Sequence, residues 1–477
     1  MKAVSTWSYT PYKAPLMYHG DIYICRIVPG ETSIRFEWLK IEGAKNYKIF
    51  YREKSQGEFL LAGQTNQDCF EIKGLKTEAD YEFYVTDGML KSRVRLARTG
   101  KCLVGTVVNY LHPEDEVYAF SGNYLCSPSF VKLPDGTLVA AMDVFSLYYP
   151  QNLTLIFRSE DNGKNWKYAC EVFPCFWGKL FLYQNELYML ACSTEYGDLL
   201  IGKSVDGGRS FCEPTVLLRG GNGKNREAGV HKNPQPVVEF NGRIWNSLEW
   251  GSWGRGYHAP MVASAKLGSD IMKKENWLFS EPVKYEHTWE GAPQGETAGP
   301  LEGCLIGASD GKLYNVMRYQ MQNMTPNYGL ALVYEVDTNN PEEPLKFCRA
   351  MEFPANHSKF EIKYDEKSKC YYSLANRIID KENANSRNLL SLMRSKDLEK
   401  WDVVLDVIDR RNANPLLEGF QYVDFEFDGN DILFLCRAAF NGAHDFHDSN
   451  YSVFDRIENY RDLCSELVKL EENYEQL

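Results

Sequence analysis

Ser159-Glu160-Asp161-Asn162-Gly163-Lys164-Asn165-Trp166 fits the pattern S-x-D-x-G-x-x-W. Read physically, it is a hairpin turn. The Asp carboxylate caps backbone N–H groups, the Gly supplies a positive φ, and the aromatic ring plugs the edge of a sheet. Ser204-Val205-Asp206-Gly207-Gly208-Arg209-Ser210-Phe211 repeats the pattern with Phe as the aromatic, and Ser395-Lys396-Asp397-Leu398-Glu399-Lys400-Trp401 is a degraded copy with Leu398 in place of Gly. One such turn says little; copies in register with a longer repeat decide the fold class.

That longer repeat is an apolar strand, a turn of the Asp-Gly or Asn-Gly kind, and a second apolar strand. It starts at Ser127–Leu133, Pro134-Asp135-Gly136 and Leu138–Met142. It returns around Gln184-Asn185, Asn241-Gly242, Asp310-Gly311, Asp365-Glu366 and Asp428-Gly429. Six hairpins at this spacing predict six propeller blades, each with two further strands after the hairpin. No helical period separates the strands until a charged, amphipathic stretch near the C-terminus. Upstream, Ser33–Trp38 alternates with period two, and Tyr47–Tyr51, Cys69–Ile72 and Tyr81–Val85 follow at short intervals. Strands so spaced predict a β-sandwich.

The expected organisation is an N-terminal segment over 1–19, the sandwich over 20–103, the repeat region over 104–460 and a helical tail over 461–477. The chain of 477 residues carries a net charge of −12, which disfavours nucleic acid and anionic membrane surfaces as partners. It contains no apolar run long enough for a transmembrane helix. The opening Met1–Gly20 has no apolar leader, so a cytoplasmic location is expected. The 13 cysteines are odd in number and form no CxxC, which fits a reducing compartment and no zinc site. No cofactor and no metal are expected.

The turns at Asp161 and Asp206 resemble the Asp-box (BNR repeat) turns of the sialidase superfamily, and the pattern Trp38, Tyr47, Leu75 and Tyr81 resembles a fibronectin type III domain. The resemblance implies an all-β fold, a six-bladed sialidase-like β-propeller behind a fibronectin type III-like sandwich. It also implies a hydrolase, a glycosidase acting on an oligosaccharide or glycoconjugate. Asp161 and Asp206 are structural in this reading.

Residues that leave the ends of the repeat strands are the candidate site residues. Asn123, His231, Glu302, His357 and Tyr422 precede or open first strands, and Asp143, Glu249, Arg318, Arg377 and Arg437 close second strands. The segment Glu302…Asp310-Gly311…Arg318 looks like the sialidase segment that carries a catalytic Glu and a substrate-binding Arg, and Gly419–Asp424 looks like the one that carries a nucleophilic Tyr. The resemblance thus implies Glu302 as base, Tyr422 as nucleophile, and Arg318 and Arg437 as carboxylate clamps, with Asp424 as an alternative to Tyr422. A phenol needs a base because its free pKa is near 10. The Arg-Ile-Pro motif of true sialidases is absent from Tyr118–Tyr124, and Asp143 is the nearest candidate for the acid/base carboxylate. Ala443–Tyr451 adds His444 and His447 to a site already holding His231. A His on such a rim can move a proton near neutral pH. Three outcomes stay open: exo-acting hydrolysis of a terminal, acidic or neutral sugar; β-elimination on a uronic acid, with His231, Tyr422, Arg318 and Asn123; and sugar binding without catalysis.

Overall fold

The computed structural model describes Trp7, Tyr9 and residues 21–221, 227–297, 299–320, 323–324, 328–355 and 357–464. The predicted segment 1–19 and the helical tail lie largely outside the described residues; 461–464 of the tail are helical.

The predicted hairpins form. Tyr124–Lys132 pairs with Leu138–Phe145 across Asp135-Gly136, Pro300–Gly307 with Leu313–Tyr319 across Asp310-Gly311, and Gly419–Asp428 with Asp431–Ala439 across Gly429. In the opening octet, Asp161 Oδ1 accepts from Ser159 Oγ (2.9 Å) and from the Asn165 backbone N–H (2.8 Å). Gly163 takes φ +86°, and buried Trp166 donates its Nε1–H to the Gly163 carbonyl. Asp161→Ala removes these bonds and is expected to lower stability by about 1–2 kcal/mol, read by urea denaturation.

Strand pairing corrects the architecture expected around these turns. Among the described residues the strands fall into nine discrete sheets of two to five strands, and no ladder runs from one sheet to the next. The sheets are unequal. One has its first strand broken into Gly229–His231 and Val238–Phe240, both paired with Arg243–Ser252, which makes it five-stranded. A two-stranded ribbon, Gly295–Glu296 with Asn323–Met324, stands outside the repeat. This is not the closed, regular six-bladed β-propeller of the expectation. The Asp-box and BNR-repeat assignment goes with it, because the turns are local hydrogen-bonded devices that specify a hairpin and not the association of sheets.

The fibronectin type III-like sandwich is corrected too. Residues 24–98 form a three-stranded and a four-stranded sheet, yet their core is not self-contained. Ile27, Phe36, Trp38, Tyr47 and Phe83 belong to one apolar cluster with Val107, Tyr110, Tyr451 and Tyr460. Buried Arg26 donates to the carbonyls of Val107 and Val108. A free-standing module closes its own core; this one is completed by the following sheets.

Side chains join neighbouring sheets where strands do not. Leu180 N donates to Ser129 Oγ, Asn315 Nδ2 to Ser247 Oγ, Asn376 Nδ2 to the Phe420 carbonyl and Phe130 N to Asp424 Oδ2. Thr106–Tyr110, which precedes the repeats, pairs with Tyr451–Ile457 of the last sheet. These contacts bring first strands far apart in sequence close together, and the candidate site lies among them. No described helix is long and apolar enough to cross a membrane.

Candidate functional site

Four first strands share one irregularity. The pairing register slips in Tyr124–Lys132, Phe176–Tyr183, Pro300–Gly307 and Gly419–Asp428. In each slip a non-glycine residue takes a left-handed backbone: Ser127 (φ +46°), Trp177 (+54°), Glu302 (+57°) and Tyr422 (+58°). A bulge of this kind costs on the order of 1–3 kcal/mol and re-aims one side chain out of the strand's alternation. Two of the four re-aimed residues are the predicted base and nucleophile.

The re-aimed side chains meet. Tyr422 Oη donates to Glu302 Oε1 at 2.6 Å, although 120 residues separate them. Arg318 Nη1 lies 2.7 Å from Glu302 Oε2 and 3.1 Å from Tyr422 Oη. Asn233 Nδ2 also donates to Glu302 Oε1. Both reactive groups are nearly buried, Glu302 at 3% and Tyr422 at 7% exposure. Burial opposes the Glu302 charge, but Arg318 and the hydrogen bonds from Tyr422 and Arg318 outweigh it and hold the carboxyl below its ordinary value. Burial and the Glu302 carboxylate push the Tyr422 phenol up, and Arg318, Arg387 and Arg437 offset part of this. Glu302 is thus ionised and Tyr422 protonated at neutral pH, the arrangement in which one can take the other's proton.

Arg437 and Arg387 complete the surroundings. The Arg437 guanidinium lies 4.0 Å from the Tyr422 ring centroid, and Arg387 lies 5.7 Å from it. Both donate to Gln421 Oε1; Arg387 also donates to the His357 carbonyl (3.1 Å) and Arg437 to Cys126 Sγ. Among the described residues neither forms an ion pair, and the Nε–H groups of Arg318, Arg387 and Arg437 are buried without an acceptor. Three guanidinium groups thus surround the Tyr422–Glu302 pair, with Glu302 the one carboxylate ion-paired to any of them among the described residues and Asp448 also near Arg437, an arrangement that a bound anion would help neutralise. Burial lowers the Arg387 pKa from its ordinary value, and the charges of Arg318 and Arg437 add to this.

A second constellation abuts the first. His231 Nδ1 and Glu249 Oε2 are 2.6 Å apart, and Glu249 Oε1 accepts from the backbone N–H of Gly303, the residue after Glu302. The imidazole packs against Trp177 (4.5 Å) and His258 (4.8 Å).

Other candidates lie differently. Asp143 is fully buried, with Oδ1 accepting from Thr154 Oγ1 and Oδ2 from Trp177 N. Burial pushes its carboxyl up to about 7 against those hydrogen bonds. The folded state then keeps a proton that the unfolded chain releases near pH ~4, so the stability contributed below that pH is lost as pH rises towards 7. Asp143→Asn is expected to flatten this decline in a denaturation series across that range. Asp424 is also fully buried and separate from the Tyr422 hydroxyl. It accepts from Phe130 N and pairs with Lys179 Nζ at 2.7 Å, which keeps it ionised against the cost of burial. Asn123 donates to the Pro113 carbonyl. Arg377 pairs with Asp406.

His444 and His447 both bond Asp448, at 3.1 Å each, beside Tyr124 and Phe145. Burial and the charges of Arg437 and Arg387 push the His447 imidazole down to about 4. Ligand atoms of His444, Asp445 and Asp448 lie within 4.8 Å of one another, the set that a metal would use. A cleft of about 320 Å³ is lined by Gln320, His357, Glu382, Asn383, Ser386 and Phe446; Gln320 accepts from Arg318, and the His357 carbonyl from Arg387.

The sequence reading missed Arg387, Asn233, Gln421 and Trp177. Arg387 precedes a third strand, a position outside the two strand ends searched. Trp177 sits in a bulge where the left-handed residue is Trp177 itself and not the adjacent Gly178.

Fold and site together define an all-β protein with a buried tyrosine–carboxylate pair enclosed by arginines. No family model matches the chain, and no curated protein matches it. Among solved structures it is similar to an α-L-arabinanase of Penicillium chrysogenum complexed with arabinobiose, at 14% identity over 75% of this chain and 98% of that one, with a TM-score of 0.50. It is also similar to a Hadza microbial sialidase (11% identity, 96% and 98% covered, TM-score 0.48) and to an α-L-arabinofuranosidase of Fusarium graminearum (12%, 74% and 97%, TM-score 0.47). The first likeness bears on the fold alone. Membership of the sialidase superfamily, expected from the turns at Asp161 and Asp206, is corrected by the strand pairing, which gives discrete, unequal sheets and not a closed six-bladed propeller.

Proposed function

We propose that the protein is a carbohydrate-active enzyme, a glycoside hydrolase that releases a terminal anionic sugar. The observation that carries the reading is the 2.6 Å hydrogen bond from Tyr422 Oη to Glu302 Oε1, bridged by Arg318. Glu302 takes the phenolic proton as Tyr422 attacks the anomeric carbon. A neutral phenol approaches an anionic sugar with less repulsion than a carboxylate does. Arg318, Arg387 and Arg437 bind the sugar's carboxylate. The near-burial of both reactive groups suits a single end residue entering the site, not a polymer running past it.

The His231–Glu249 pair supports a second reading, β-elimination on a uronic acid, in which a His or Tyr removes the proton beside the carboxylate. A panel of nitrophenyl glycosides of acidic and neutral sugars, with uronate polymers alongside, tests both. Nitrophenol release confined to acidic sugars is the expected result. Release from neutral sugars alone overturns the anionic substrate. An ultraviolet-absorbing unsaturated product shifts the assignment to elimination, and no product from any substrate overturns the enzymatic reading.

A further inference from the structure

Breaking a glycosidic bond takes more than a nucleophile and its base, because the departing oxygen must receive a proton unless it leaves as a stable anion. The buried carboxylates near the site are committed elsewhere. Asp143 is fully buried with both oxygens hydrogen-bonded, Asp424 is fully buried and held through Oδ2 by Phe130 N and Lys179 Nζ, and Glu361 pairs with Lys359 Nζ at 2.7 Å. The loop Ser146–Asn152 after Asp143 contains no acidic residue.

We propose that His231, positioned by Glu249, is the proton donor to the leaving group and later the base that activates water. This rests on the hydrolase reading above. Glu249 holds the imidazole through Nδ1, so ring geometry aims Nε2 away from that carboxylate. The other Glu249 oxygen holds the Gly303 N–H, so one side chain fixes both the His231 ring and the bulge that aims Glu302. The charge of His231 reaches Glu302, which places the two in one electrostatic environment. The groups facing His231 are Glu249, Glu302, Tyr196 and His258 from packed elements and Lys232 beside it. Ring contacts connect buried His231 to the surface: it packs on His258, and His258 on Trp253 at 4.7 Å; Trp253 is 47% exposed. Sugar rings pack on such surfaces.

The steps balance. The bond from Tyr422 Oη to the anomeric carbon forms as the bond to the leaving oxygen breaks. The phenolic proton passes to Glu302, and the Nε2 proton of His231 passes to the leaving oxygen. Water then attacks the anomeric carbon and gives one proton to His231 Nε2, while the tyrosyl bond breaks and Glu302 returns its proton to Tyr422. Tyr422, Glu302 and His231 all end as they began.

The experiment compares wild type, His231→Asn, Glu249→Gln and Tyr422→Phe on two glycosides of the sugar found with the panel, one nitrophenyl and one methyl. Nitrophenolate leaves without protonation; methoxide does not. In kcat/KM, which reports the steps up to departure of the leaving group, His231→Asn is expected to lose about 10²–10⁴-fold with the methyl glycoside and at least tenfold less with the nitrophenyl glycoside. Glu249→Gln is expected to show the same contrast at smaller size, and it carries the test if His231→Asn is unfolded by circular dichroism. Equal losses on both glycosides, or none on either, overturn the assignment to His231 while Tyr422→Phe stays inactive. Activity in Tyr422→Phe overturns the hydrolase reading beneath it.

Discussion

Tyr422→Phe is expected to lose at least about 10³-fold in kcat on every substrate the wild type turns over, with folding unchanged. The substitution removes one oxygen and no ring. Phe keeps the stack beneath Arg437 and tolerates the backbone of the bulge as Tyr does. Glu302 keeps Arg318 and Asn233 as partners, so no buried carboxylate is stranded, and the change in stability should stay within about 1 kcal/mol. A spectator tyrosine would lose only that hydrogen bond. The measurement is turnover beside a thermal melt; an active Tyr422→Phe enzyme refutes the nucleophile assignment. Glu302→Gln should behave similarly in rate, because an amide cannot accept the phenolic proton.

The hairpins were legible in the sequence because their determinants are local. Asp135-Gly136 or Asn241-Gly242 between two apolar runs specifies a turn whatever surrounds it. The association of sheets was not, because it depends on contacts such as Asp424 with Lys179, 245 residues apart, and a repeat of hairpins is compatible with more than one arrangement. The expected closed propeller and separate sandwich were extrapolations from local turns and a family resemblance, and the pairing replaced them with discrete, unequal sheets. The meeting of Glu302, Arg318 and Tyr422 was anticipated only through that resemblance. Nothing in a single sequence marks Glu302 and Tyr422 as bulge residues, since a left-handed backbone is usually read from Gly or Asn. Arg387 was invisible for a related reason: in Ala384-Asn385-Ser386-Arg387-Asn388 it reads as a polar loop residue, yet it is 3% exposed.

That burial makes Arg387 the residue whose replacement best separates stability from function. Arg387→Met is expected to weaken binding of the anionic sugar by about 10²-fold or more while making the ligand-free protein no less stable. A buried charge lacking a carboxylate partner costs several kcal/mol, and apolar replacements of buried charges of similar volume are often neutral or stabilising by about 1–4 kcal/mol. Arg387 meets that condition. Its acceptors are the uncharged Gln421 and a backbone carbonyl, its Nε–H has none, and like charges from Arg318 and Arg437 lie beside it. Met keeps the length of the side chain and leaves Gln421 bonded to Arg437. With substrate the sign reverses, because the lost charge-assisted bonds to a carboxylate contribute a few kcal/mol of binding. Chemical denaturation of the ligand-free protein and KM for the acidic glycoside are the two readouts. A variant that loses stability and leaves KM unchanged would make Arg387 a structural residue, and the buried excess of positive charge would then need a cause other than an anionic substrate.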